Sequence, residues 1–223
     1  MKITFLGHAA FALEVEGISL LIDPFLKGNP LCPPGTENLR PDYILVTHGH
    51  ADHMGDAFAI ASRSGSTVVA IAEIASLGAK EGVKTHGMNI GGSFAFGPVR
   101  ITMTPALHSS SRDGVYLGEP CGFIIAGEGK KVYHAGDTAL FSDMSLIGRK
   151  GLDLALLPIG DNYTMGPEDA VEAVKLLQPK AVIPMHYNTW DVIKVDAAAF
   201  KEKVEKETGV AVHLLTPGQS LTL

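Results

Sequence analysis

The chain has 223 residues, 46% of them hydrophobic and only 7% aromatic, with a formal net charge of −6. That is enough apolar material for one sizeable core, and the acidic balance removes the general attraction on which broad nucleic-acid binding depends. Two cysteines, Cys32 and Cys121, are too few for a disulfide framework, and no Cys-x-x-Cys pair is present.

In chain order, KITFLG reads as a strand stopping at Gly7, directly before His8. No leader-like apolar segment precedes it, and no run reaches the roughly 20 apolar residues of a membrane span, so a cytoplasmic protein is expected. FALEVEG alternates, with Glu14 and Glu16 outward and a turn at Gly17. ISLLIDP reads as a strand buried on both faces, ending at Asp23. A Pro- and Gly-rich loop follows from Leu26 to Pro41. YILV is a strand running into THGHADH, and a helix is expected from about Met54 to Ser64. TVVAI is a strand and AEIASLGAKEG a short helix.

FGPVRITMTPALH is a strand ending near His108, followed by a polar loop from Ser109 to Pro120. CGFIIAG and KKVYHAGD read as a hairpin turning at Glu128 and Gly129, with Cys121 in the core and Asp137 just past the second strand. LDLALLPIG is another buried strand. PEDAVEAVKLLQP is an amphipathic helix bracketed by prolines, KAVIPMH a strand ending at His186, and DAAAFKEKVEKETG a helix. No linker marks a boundary, so a single domain over 1–223 is expected. A sheet core with helices outside accommodates both the buried strands and the amphipathic helices.

The recurring feature is a metal-capable side chain at the C-terminal end of a strand: His8, Asp23, His48 with His50, His108, Asp137, Asp161 and His186. Such ends are where sites on sheet proteins gather. Within THGHADH, His48 and His50 are two apart and point the same way on extended backbone, and Gly49 lets the chain turn. Asp52 and His53 follow where the helix begins, so one turn can serve two ions. His108 can complete a three-histidine site with His48 and His50. His186 can join Asp52 and His53, and Asp137 can bridge. Imidazole and carboxylate donors suit zinc first, with manganese, nickel and iron as alternatives. His134, inside a strand, reads as a buried hydrogen-bonded residue, and His86 and His213 as structural or exposed.

The run His48-x-His50-x-Asp52-His53, then His108, Asp137 within GDT and His186, resembles the metallo-β-lactamase superfamily in residue type and order over essentially the whole chain. GHAAF near the start and PMHYNTW near the end resemble a bacterial branch of small metal-dependent hydrolases related to ascorbate-6-phosphate lactonases and N-acylphosphatidylethanolamine phospholipase-D-type enzymes. The resemblance implies an α/β, four-layer αββα sandwich and a dinuclear hydrolase. Its metal-bridging hydroxide would attack a small ester, lactone or phosphodiester. It makes His48, His50, Asp52, His53, His108, Asp137 and His186 the metal ligands. Asp52 would orient the water, Asp23 would hold a motif histidine and Thr138 would hold Asp137. His8 would face the substrate as a donor or proton source.

Asn162, Tyr163 and Asn188 are candidate substrate contacts. Lys27, Arg40 and Arg112 in the two long loops are candidates for meeting a phosphate or carboxylate. Trp190, the only tryptophan, suits packing and a pocket wall equally. Three other readings carry less: a di-iron redox protein (redox relatives carry glutamate where His50 stands, and a flavin partner domain), a nucleic-acid-processing nuclease (no basic cluster), and a non-catalytic metal-binding scaffold. The expected partner is a small-molecule substrate, without nucleic acid or a membrane span.

Overall fold

A computed structural model describes all 223 residues. The apolar runs become strands β1 (Lys2–Phe5), β2 (Phe11–Val15), β3 (Ile18–Ile22), β4 (Tyr43–Leu45), β5 (Thr67–Ile71) and β6 (Thr85–Met88) of one sheet. The second sheet holds β7 (Ser93–Phe96) and β8 (Val99–Pro105). After a separate small hairpin, β9 (Ser111–Arg112) and β10 (Val115–Tyr116), it continues with β11 (Cys121–Gly127), β12 (Lys130–His134), β13 (Leu154–Pro158), β14 (Ala181–Met185) and β15 (Ala211–Val212). The last strand, β16 (Ser220–Thr222), returns to the first sheet and pairs antiparallel with β1. No helix is long and apolar enough to cross a membrane.

Each sheet repeats one plan. An antiparallel hairpin, β2–β3 or β11–β12, leads into parallel strands, β4–β5–β6 or β13–β14–β15. The two hairpin tips lock together: the Glu16 amide donates to Glu128 Oε1 at 2.8 Å, and the Glu128 amide donates to Glu16 Oε1 at 2.7 Å. A continuous cluster of 61 buried residues draws on both sheets. β13 and β14 are buried at every position, as parallel strands covered on both faces must be. Helices α2 (Ala57–Ser64) and α3 (Ala72–Lys80) cover the first sheet at β5 and β6. On the other side α4 (Met144–Gly148), α5 (Pro167–Leu177) and α6 (Ala197–Thr208) pack in series, with α6 against β15. The result is the αββα sandwich.

Three local expectations change. The helix expected from Met54 is two pieces, α1 (Ala51–Met54) and α2, because Gly55 at φ 41° breaks the run. A Cβ there would run into the Pro24 carbonyl, and the Asp56 amide donates to that carbonyl at 2.9 Å. Strand β6 and helix α4 arise where no strong pattern marks them. The polar loop after His108 contains the β9–β10 hairpin.

The parallel plan sets the site. β1 and β3 both run antiparallel to β2, and β8 and β12 both run antiparallel to β11, so β1, β3, β4, β8, β12, β13 and β14 all end at the same edge. At that edge Gly160 lets the chain after β13 lie against the His186 carbonyl, where any Cβ would collide. Gly160→Ala is expected to cost on the order of 3 kcal/mol, read by urea unfolding. Unchanged stability would mean that the two strand ends are not in this contact.

Candidate metal centre

The strand ends bring together residues up to 138 positions apart in sequence, from His48 to His186. Asp137, 2% exposed, lies at their centre. Its Oδ2 is 3.1 Å from His186 Nε2, 3.2 Å from His53 Nε2, 3.5 Å from His108 Nε2 and 4.0 Å from His48 Nε2. His48 Nε2 and His50 Nδ1 are 3.0 Å apart, and His108 Nε2 is 3.3 Å from the same His50 nitrogen. On the other side Asp52 Oδ2 is 3.7 Å from His186 Nε2 and 3.9 Å from His53 Nε2. Four-coordinate ions with bonds of about 2.0–2.1 Å put neighbouring donors about 3.3 Å apart, so these spacings suit divalent cations. His53 Nε2, both His186 ring nitrogens and Asp137 Oδ1 are buried without a hydrogen-bond partner. Orphaned donors and acceptors of this kind are costly unless something binds them. One metal-capable group is His48, His50 and His108, another is His8, Asp52, His53 and His186, and a third, His48, His53 and Asp137, shares one histidine with each of the others.

The supporting contacts fix which nitrogen faces inward. Asp23, fully buried, accepts the Thr47 amide at 2.8 Å, the Thr47 hydroxyl at 2.7 Å and His53 Nδ1–H at 2.7 Å. Thr47 Oγ1 has spent its proton on Asp23, so it accepts from His48 Nδ1–H at 3.0 Å. Both imidazoles therefore turn Nε2 toward the centre, a familiar way of orienting metal-binding histidines. Three residues of this edge, His8, Asp23 and His186, have left-handed backbone with φ of 58°, 43° and 56°. Strain of about 1–3 kcal/mol each persists where the surroundings over-determine a functional geometry.

His8 does not face the cavity. It is fully buried; Nδ1 accepts the Thr189 hydroxyl at 2.8 Å and Nε2–H donates to Asp52 Oδ2 at 3.1 Å. Burial pushes its pKa down to about 4 despite the Asp52 bond, so it is neutral near pH 7 and holds Asp52 from behind. Thr138 does not hold Asp137 either. Its hydroxyl accepts the Leu107 amide at 3.0 Å and donates to the Ala139 carbonyl, which pins the turn carrying His108. Asn188 accepts the Val195 amide and shapes its own turn, and the exposed Asp161 does likewise for the Asn162 amide. Neither they nor Asn162 line the cavity, whereas Tyr163 does. His134 is the buried structural residue expected: Nε2–H donates to the Ala9 carbonyl and Nδ1 accepts the Gly136 amide. Thr47 and Thr189 escaped sequence reasoning. Thr47 directly precedes the histidine motif; Thr189 carries no local signal.

The histidines divide electrostatically. Burial pushes His48 well below its usual pKa and lowers His50 and His108. His53 and His186 are more deeply buried than His50 and His108, yet Asp137 overrides burial, with Asp23 also raising His53; His186 reaches about 9. The same pairs hold the Asp137 carboxyl far below its usual range against burial. In metal-free protein, His8 and the lowered histidines remove stability as pH falls below 6.5, because the unfolded chain takes protons first. The stabilisation from charged His186 is full below 6.5 and gone above about 9. The Tm of the chelated protein is therefore expected to peak near pH 6.5 and fall on both sides, measured by thermal unfolding from pH 4.5 to 9.5. A Tm that levels off above pH 6.5 instead of falling would show that His53 and His186 fold neutral.

The beta-lactamase superfamily domain matches residues 19–187. The chain is 56% identical, over the full length of both proteins, to a UPF0173 metal-dependent hydrolase of Pelotomaculum thermopropionicum. It is 54% identical, again over both full lengths, to one of Desulforamulus reducens. Among solved structures it matches Igni18, a metallo hydrolase of the hyperthermophilic archaeon Ignicoccus hospitalis, with a TM-score of 0.93 and 42% identity, covering 100% of this chain and 97% of that one.

Proposed function

The chain belongs to the β-lactamase superfamily of metal-dependent hydrolases, and from that premise we propose that, as one domain over 1–223, it is a dinuclear hydrolase of a small ester, lactone or phosphodiester. The observation that carries the reading is Asp137, whose Oδ2 lies 3.1–3.5 Å from imidazole nitrogens of both donor groups. His48, His50 and His108 would hold one ion and Asp52, His53 and His186 the other, zinc being the first candidate. Bound there, two ions supply an activated water and polarise the scissile bond.

The chain's own part is positioning and proton handling. Asp52 is half-buried and lines the cavity, with Oδ2 already engaged by His8, which sets the carboxylate's orientation. It is the group placed to take the proton of the attacking water and pass it to the leaving oxygen. His8, tied to Thr189, keeps that carboxylate from rotating away; it is a positioning residue rather than a catalytic one. Asp23 and Thr47 keep His53 and His48 in the tautomers that leave Nε2 free.

The test is elemental analysis of purified protein beside turnover of bis-p-nitrophenyl phosphate and of simple lactones, before and after chelation. About two zinc, manganese or nickel ions per chain, with turnover lost on chelation and restored by metal, is the expected result. Two irons with oxygen chemistry would replace it by the redox reading, and tight metal with no turnover by the scaffold reading.

A further inference from the structure

Granting the hydrolase reading, we infer that the site takes an uncharged ester or lactone bearing a flat aryl group, not a substrate with a remote phosphate or carboxylate. The cavity above the candidate centre measures about 580 Å³, the scale of a small-molecule site. One wall is the donor set. Phe25, Tyr163, Trp190 and Val192 supply the cavity's large apolar lining, and no lysine or arginine lines the space. Tyr163, Val192 and Trp190 are 56%, 51% and 38% exposed, so three large apolar side chains face solvent at one mouth. Such clustering marks a binding surface.

The wall is held in place. The Trp190 ring lies 4.9 Å from that of buried His8 and 6.0 Å from Phe25, and Phe25 meets His8 edge-on at 5.8 Å. Since His8 is fixed by Thr189 and Asp52, the aromatic wall and the Asp52 carboxylate keep one spacing. A flat ring seated on Trp190 would find this surface pre-organised.

The basic residues of the loops go elsewhere. Lys27 lines a separate cavity with Arg63. Arg40 donates to the Asn38 and Leu39 carbonyls. Arg112 reaches Met54 Sδ at 3.7 Å and pairs with Asp113 at 3.9 Å. An anion away from the reacting bond would thus lose water against Trp190 and Val192 and gain no counter-ion. In the reaction, water oxygen bonds to the acyl carbon, the acyl carbon–ring oxygen bond breaks with its electron pair going to that oxygen, and a proton follows to the oxygen. The products are a carboxylate and a neutral phenol, with one proton released.

The test compares kcat/KM for dihydrocoumarin, γ-butyrolactone and 6-phosphogluconolactone in metal-loaded wild type, Trp190→Ala and Val192→Lys. Using the change in each ratio removes the intrinsic reactivity of the aryl lactone. Trp190→Ala should lower the aryl-to-alkyl ratio at least tenfold, mainly through KM. Val192→Lys, at an exposed position that tolerates lysine, should shift the ratio toward the phosphorylated lactone at least tenfold. Wild-type preference for the phosphorylated lactone, or ratios unmoved in both variants, overturns the inference and leaves the hydrolase reading intact. Binding is read separately by quenching of Trp190, the only tryptophan, with 2-tetralone, in which carbon replaces the ring oxygen of dihydrocoumarin. Saturable quenching without turnover of any lactone or of bis-p-nitrophenyl phosphate supports the aryl site and sinks the hydrolase reading. Neither quenching nor turnover overturns both.

Discussion

Asp137→Ala is expected to lower turnover roughly a thousandfold or more and to release at least one of the two proposed ions. Asp137 is the carboxylate within 4.0 Å of four imidazole nitrogens, one oxygen facing His186, His53, His108 and His48 together. Removing it separates the two donor groups. It also removes the charge that pushes the His186 pKa up to about 9, so burial should then return that ring to its neutral form near pH 7. Elemental analysis and turnover read the first effect. Histidine NMR of the chelated protein reads the second. Full metal content in the variant would mean that the two groups do not share this carboxylate.

Asp23 should matter almost as much without touching substrate. Asp23→Ala leaves the Thr47 amide, the Thr47 hydroxyl and His53 Nδ1–H without their buried acceptor. Breaking a buried charged pair of this kind costs about 3–5 kcal/mol. Losing the partner that orients a metal-binding histidine typically costs about 10–100-fold in metal affinity. Asp23→Asn separates the two effects. Asparagine can still accept from Thr47, so the fold should suffer less. An amide N–H facing His53 Nδ1, however, would favour the tautomer with the proton on Nε2, closing the nitrogen the metal needs. Urea unfolding and chelator competition measure the two quantities independently. Wild-type metal affinity in Asp23→Asn would remove the tautomer argument.

The proposed donor set stands out in the sequence because each member obeys a short-range rule. A buried strand gives a continuous apolar run, its end is marked by glycine or proline, and a histidine or aspartate at that end stands out. The same rule misplaced Asp161, which stands at a strand end but is exposed and accepts its neighbour's amide. It also misled for Thr138, where adjacency to Asp137 suggested a bond that the hydroxyl makes instead to the Leu107 amide and the Ala139 carbonyl. A side chain's bonding partner depends on what lies across the sheet edge, and neighbouring positions carry little information about that.

The long apolar strands, their buried or alternating faces, the histidine spacing of THGHADH and the family itself were determined by the sequence alone, because periodicity and motif spacing are properties of a few adjacent residues. Tertiary structure decided the rest. It turned His8 from a residue facing substrate into one behind Asp52, through a threonine 181 positions away. It directed Lys27, Arg40 and Arg112 away from the cavity and gathered Phe25, Tyr163, Trp190 and Val192 into its apolar wall. The physical reason is that donors are set along single strands, whereas the lining of a cavity is set by how loops from two sheets meet, and those contacts have no period to read.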